Sequence, residues 1–132
     1  MNFLIMAKFA HMSDIHLDSP FDYLTFDNKK DERRSEQRIT FKKSIELANN
    51  NECDFIIISG DLFDGEYNKD TINFLCTTFN QHKDKKIFIS CGNHDFLSGK
   101  CISELSKQLP ANVHIFGDTI SCVEIPELKT RV

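Results

Sequence analysis

The stretch that most constrains this chain is Phe55-Ile56-Ile57-Ile58-Ser59-Gly60-Asp61-Leu62-Phe63-Asp64. Four consecutive apolar residues, three of them β-branched, read as a buried strand, central in a parallel sheet. The run stops at Ser59-Gly60 and a carboxylate follows at once. Glycine permits a sharp turn and leaves room for a group close to the main chain. Asp61 is therefore expected just past the carboxyl end of a central strand, where open α/β sheets place their ligands. A plain Gly-Asp turn fits the segment equally well, so the other strand ends have to decide.

At 132 residues the chain suits one domain with a real core. A hydrophobic share of 40% and a charged share of 27% are those of an ordinary globular protein. The net charge of −4 opposes a general polyanion-binding surface. Divalent cations among the carboxylates would reverse that field locally. The five cysteines are odd in number, scattered and without a CxxC pair. They read as free thiols in a reducing cytosol, which gives a cytoplasmic expectation. The apolar opening at residues 1–7 is too short to span a bilayer and lacks a basic region before it. It reads as a leader, or as an alternative start at Met6, ahead of a domain over residues 8–132, with no membrane partner.

Lys8 to Ser13 is expected as the first strand, and residues 17–30 as a loop. A helix is expected from about Asp31 to Asn51, with Phe41, Ile45 and Ala48 on its buried face and Ile39 and Leu47 on the flanks. After the Phe55–Ser59 strand, a second helix over about Lys69–His82 would bury Ile72, Leu75, Cys76 and Phe79. Ile87-Phe88-Ile89 is a third strand, followed by a short helix over about Lys100–Leu109. Val113–Phe116 and Ser121–Ile125 read as two strands joined through Gly117-Asp118. The order β-α-β-α-β predicts right-handed crossovers and a largely parallel sheet. Lys29, Lys30, Arg33, Arg34, Arg38, Lys42 and Lys43 form a basic cluster on the first helix, against Asp31, Glu32 and Glu36. It reads as a solvated helix face before it reads as a phosphate-tracking surface.

Asp14 and His16 follow the first strand, Asp61 and Asp64 the second, and Asn93, His94 and Asp95 the third. Consecutive βαβ units place such ends side by side on one rim. The set is rich in oxygen, carries imidazole and has no thiolate pair. That suits manganese, iron or zinc better than a structural zinc. A carboxylate on the middle strand is placed to bridge two divalent ions, and ions about 3.5–4 Å apart can clamp a phosphoryl group. His11 is expected to pack rather than ligate, and neither His82 nor His114 belongs to a motif.

Asp14-Ile15-His16, Gly60-Asp61-Leu62-Phe63-Asp64 and Gly92-Asn93-His94-Asp95 resemble the first three motifs of the calcineurin-like metallophosphoesterases. The strings from His11 to Phe21 and from Asn112 to Gly117 look more specifically like the SbcD-type DNA-repair exonuclease branch. The resemblance runs from about Lys8 to the end. It implies an α/β fold, the N-terminal half of a four-layer αββα sandwich with a mostly parallel sheet. It also implies roles. Asp14 and His16 would hold a first metal, Asp61 would bridge, and Asn93 would hold a second. His94 would act on the leaving oxygen, oriented by Asp95, with Asp64 a supporting carboxylate. The family's later histidine motifs have no counterpart after Asp95, so the chain reads as the front part of a catalytic domain.

The resemblance further implies a metal-dependent phosphodiesterase, a nuclease in DNA repair that uses two-metal-activated water, manganese being favoured over iron, zinc or magnesium. Its partners would be DNA and an SMC-like ATPase subunit. The three motifs do not encode the substrate, so a phosphomonoesterase or nucleotide hydrolase remains an alternative. A non-catalytic scaffold is another, opposed by the intact Asp14, His16, Asp61, Asn93 and His94. The 132 residues alone are expected to be inactive and prone to self-association.

Overall fold

The computed structural model describes residues 6–65, 67–96, 102–117 and 119–132. Four strands, β1 (Phe9–Met12), β2 (Phe55–Ser59), β3 (Lys86–Ser90) and β4 (Val113–Ile115), form one sheet in the order β1-β2-β3-β4. Every pairing is parallel, with Phe9 opposite Phe55, Phe55 opposite Lys86, and Ile87 opposite Val113. The isoleucine run is thus an interior strand, as the unbroken apolar pattern requires. The fold is α/β with a parallel four-stranded sheet, consistent with the N-terminal half of the expected sandwich.

Ile56, Ile58, Ile87 and Ile89 point to one face, against α1 (Asp27–Asn50) and α2 (Lys69–Asn80). Phe41, Ile45 and Ala48 of α1 and Ile72, Leu75 and Phe79 of α2 complete that core, together with Leu105 of α4 (Ile102–Ser106). Cys76 is only partly buried there, while Ile39 and Leu47 are exposed. α2 starts at a side-chain cap, Asn68 Oδ1 accepting from the Thr71 N–H at 3.0 Å. The last turn expected to reach His82 ends at Asn80. α1 begins four residues before the expected Asp31 because its first turns are solvent-facing and charged, and apolar periodicity cannot register them. Lys100 and Cys101, the expected start of the short helix, lie outside the described residues.

The other face carries Phe55 and Phe88, covered by Ile125. Ile125 comes from β5 (Glu124–Ile125), which pairs antiparallel with β6 (Thr130–Arg131) in a separate ladder. This corrects the sequence reading in two respects. The segment Ser121–Ile125 contributes only two strand residues and does not join β4, and the partner strand β6 was not foreseen. Pro126 opens a 3-10 turn and Lys129 takes a left-handed φ of 48°, so the chain reverses and Val123 and Val132 exchange main-chain bonds of 2.7 and 2.9 Å. Asp118, in the expected join, lies outside the described residues. Phe9, on the same face, is exposed and stacks on Phe55 at 5.2 Å. His11, expected to pack, is exposed and bonds the Ser59 hydroxyl through Nε2.

The basic cluster of α1 is answered by carboxylates along its own helix. Lys29–Glu32 and Arg33–Glu36 close at 2.6 Å, and Arg34–Asp31 at 3.2 Å. Arg38 turns inward instead, binding both Asp18 oxygens at 2.8 and 2.9 Å and Asp70 at 2.6 Å. Lys30 pairs with Asp22 at 3.6 Å and Arg34 also donates to the carbonyls of Ser19 and Pro20, so the cluster is partly paired along its own helix and partly tied to the loop before it. Cys53, Cys76, Cys91 and Cys122 are free thiols. No helix among the described residues is long and apolar enough to cross a membrane.

Candidate metal centre

The loops that leave β1 and β2 run on together past the sheet. Asp14 N–H donates to Gly60 O at 3.2 Å, His16 N–H to Asp61 O at 2.9 Å, and Leu17 N–H to Leu62 O at 2.8 Å. Asp14, His16 and Asp61 all adopt left-handed backbone, at φ 53°, 50° and 49°. Each such residue costs about 1–2 kcal/mol outside glycine, so surrounding bonds must hold it. Gly60, at φ 81°, turns the chain off β2 and abuts Gly92 at the end of β3.

Gly92 has its own reason. A Cβ there would lie 1.9 Å from Asp61 Oδ1 and 2.5 Å from the Asp61 main-chain N. Only a residue without a side chain lets the two strand ends close on that carboxylate. Gly92→Ala is expected to lower stability by about 1–3 kcal/mol, an overpacking cost, and to displace Asp61. Urea unfolding and manganese titration check it, and an unchanged midpoint with unchanged binding would refute it.

The rim gathers two overlapping sets whose donor atoms lie within 4.8 Å of one another: Asp14, His16 and Asp61, and His16, Asp64 and His94. His16 Nε2 and Asp61 Oδ2 stand 4.0 Å apart, too far for a hydrogen bond. Two donors each about 2.1 Å from a common ion would be separated by up to about 4.2 Å. The first set therefore fits a divalent cation in both donor chemistry and spacing. His94 Nδ1 and Asp64 Oδ1, at 3.0 Å, are instead at hydrogen-bonding distance. His16 Nδ1 meets the same oxygen at 3.4 Å, and the two imidazoles cross edge-on at 5.0 Å. The Ser19 hydroxyl donates to Asp64 Oδ2 at 2.6 Å. That bond first, and then the neighbouring His16 and His94, hold the Asp64 carboxyl below the usual carboxylate range despite its partial burial.

Asp61 is buried, and its Oδ1 accepts from the His94 N–H at 3.0 Å. Asn93 stands exposed at the first position of α3 (Asn93–Phe96), one residue before His94. Asp95 is placed otherwise than the sequence suggested. Its buried carboxylate accepts the main-chain N–H groups of Leu62 (3.1 Å), Phe63 (2.8 Å) and Gly92 (3.1 Å). The carboxylate at the His94 ring belongs to Asp64. Successive side chains on a helical turn diverge, so neighbours in sequence do not face each other. Asp95 stitches the second loop to the third, and Asp64 meets the imidazole. Ser19 escaped notice because a serine in a loop carries no signal of its own.

The calcineurin-like phosphoesterase profile matches residues 7–130, nearly the whole chain. The chain belongs to the calcineurin-like phosphoesterase family. It is also 31% identical over 118 residues to an uncharacterized metallophosphoesterase, YhaO, of Bacillus subtilis (strain 168). That match takes in 85% of this chain and 28% of the relative, so the chain spans well under a third of the length of the protein it resembles. Calcineurin-like phosphoesterases are metal-dependent phosphoester hydrolases, and the two His/Asp sets are where this member could hold divalent ions.

Proposed function

We propose that this protein is the catalytic front of a metal-dependent phosphodiesterase of the SbcD-type DNA-repair exonuclease branch. The observation that carries the reading is the meeting of Asp14, His16 and Asp61 donors beside a His94–Asp64 pair whose nearest atoms stand 3.0 Å apart. Branch and substrate rest on the strings His11–Phe21 and Asn112–Gly117, and DNA follows as substrate. Asp14, His16 and Asp61 would hold one ion, and Asp61 with Asn93 would serve a second. Bound divalent ions supply charge against the phosphoryl oxygens and lower the pKa of water. His94, held by Asp64, delivers or stabilises a proton at the leaving oxygen. Asp95 fixes the loops that carry these groups. An SMC-like ATPase subunit and a cytoplasmic setting belong to the same reading.

The protein at its full natural length tests it. Cleavage of bis-p-nitrophenyl phosphate and linear DNA, with the mono-ester spared, is the expected result. Mono-ester turnover alone would overturn the diesterase reading in favour of a phosphatase or nucleotide hydrolase.

Manganese is proposed as the metal, because the His16 imidazole is softer than the water and carboxylate shell magnesium prefers. Calorimetric titration of the 132-residue chain should give tighter manganese than magnesium binding; equal or tighter magnesium binding would refute the choice. The same 132 residues expose Phe9 on β1, the edge strand of the sheet among the described residues. They are expected to self-associate and to show no turnover on linear DNA with manganese. Monodisperse protein whose turnover disappears with Asp61→Ala would disprove this.

A further inference from the structure

The loop that carries Asp14 and His16 is gripped from two sides, and the second grip comes from a residue with no assigned role. On one side its N–H groups donate to the carbonyls of Asp61 and Leu62. On the other, the Gln37 side chain of α1 reaches three main-chain groups of the same loop. Its Nε2 donates to Ile15 O at 3.1 Å and to His16 O at 2.6 Å, and its Oε1 accepts from the Asp18 N–H at 3.1 Å. Between Asp14 and Asp18 the backbone alternates into the left-handed region, at φ 53°, 50° and 60° for residues 14, 16 and 18. Among the described residues no strand flanks β1 on its outer side, and the carbonyls of Ile15 and His16 turn to Gln37, that of His16 also accepting the Ser19 N–H at 3.2 Å.

We propose that Gln37 is a positioning residue for the metal centre: it holds the Asp14–Asp18 loop in the conformation that presents the Asp14 and His16 side chains toward Asp61. The chemistry selects glutamine. A glutamate would keep the acceptor and lose both donors, a lysine or arginine would keep donors and lose the acceptor, and asparagine would be one methylene short. Arg38, next along α1, grips the Asp18 side chain, so consecutive residues of one helix fix the far end of the loop through main chain and side chain together. Gln37 also lines an open groove of about 490 Å³ with Ser13, Asp14 and Ile15. Water can therefore reach the loop carbonyls once the amide is removed. The loss should then fall on loop order and metal affinity rather than on folding.

The inference rests on the metal reading above, and the test separates the two. Gln37→Leu, Gln37→Glu and, as a core control remote from the loop, Ile45→Val are compared with the 132-residue chain. Two readouts are taken, manganese affinity from the spectroscopic signal of free Mn²⁺ and amide exchange of His16 and Leu17 in metal-free protein. Outer groups that orient ligands typically matter 10–100-fold in metal affinity. Both Gln37 variants should bind manganese about 10-fold more weakly or worse and exchange His16 and Leu17 faster, while Ile45→Val changes neither selectively. Unchanged affinity in both Gln37 variants, or an equal loss in Ile45→Val, overturns the proposal. Should Gln37→Leu fail to fold, Gln37→Glu carries the comparison alone. If the unaltered chain binds no manganese, the metal reading fails and the presentation of ligands fails with it. Unchanged exchange would then dispose of the grip on the loop as well.

Discussion

His94→Ala, in the protein at its full natural length, is expected to lose roughly 10²–10⁴-fold in turnover while keeping its metal, the usual contribution of a placed acid–base group. Asp61→Ala is expected to lose metal and turnover together. The contrast follows from the roles proposed for the two residues. The His94 ring sits at hydrogen-bonding distance, 3.0 Å, from Asp64, whereas His16 and Asp61 stand 4.0 Å apart. Metal content measured beside diesterase rates on the same preparations decides it. Metal loss in His94→Ala equal to that in Asp61→Ala would move His94 into the ligand set, where the His16–Asp64–His94 grouping would then be the occupied one.

Asp95→Ala should be the most damaging single change to the fold of the rim. It removes one buried carboxylate and strands three main-chain donors, those of Leu62, Phe63 and Gly92, in two different loops. Leaving a buried donor unpaired costs about 1–3 kcal/mol, and the three losses overlap because they share one acceptor. A drop of about 3–5 kcal/mol in unfolding free energy is therefore expected. Asp95→Asn should fall between, since its amide keeps one accepting oxygen. Urea unfolding of the three proteins measures it. A loss under about 1 kcal/mol would mean that water takes over the carboxylate's role.

The strands and the rim were legible because they are written locally. A run such as Phe55–Ser59 has one reading as a buried strand, and Gly60-Asp61 marks where it must stop. What the sequence concealed depends on tertiary contact. The first turns of α1 are polar all round, so nothing distinguished them from the loop before. β5 and β6 are two-residue strands set by Pro126 and the turn at Lys129, too short for any period to show. Asp95 beside His94 in sequence suggested a partnership, whereas its carboxylate takes up the main-chain N–H groups of Leu62, Phe63 and Gly92, and Asp64, thirty positions away, meets the His94 ring. Gln37 lies on a helix face whose charges drew the eye to solvent, while its amide faces the loop.

The spatial order of the sheet, β1-β2-β3-β4, is also the order in which the strands are synthesised. No strand has to be threaded between two that are already paired. The first ladder, Phe9 against Phe55, waits for α1 to be made. After that each arriving strand adds beside the strand made just before it. Domains commonly fold from the N-terminus as they leave the ribosome, and this topology imposes no backtracking on such a sequence. The three rim loops are all in hand once Asp95 has emerged, so the ligand-bearing edge can be laid down while β4 and the β5–β6 ladder are still being translated.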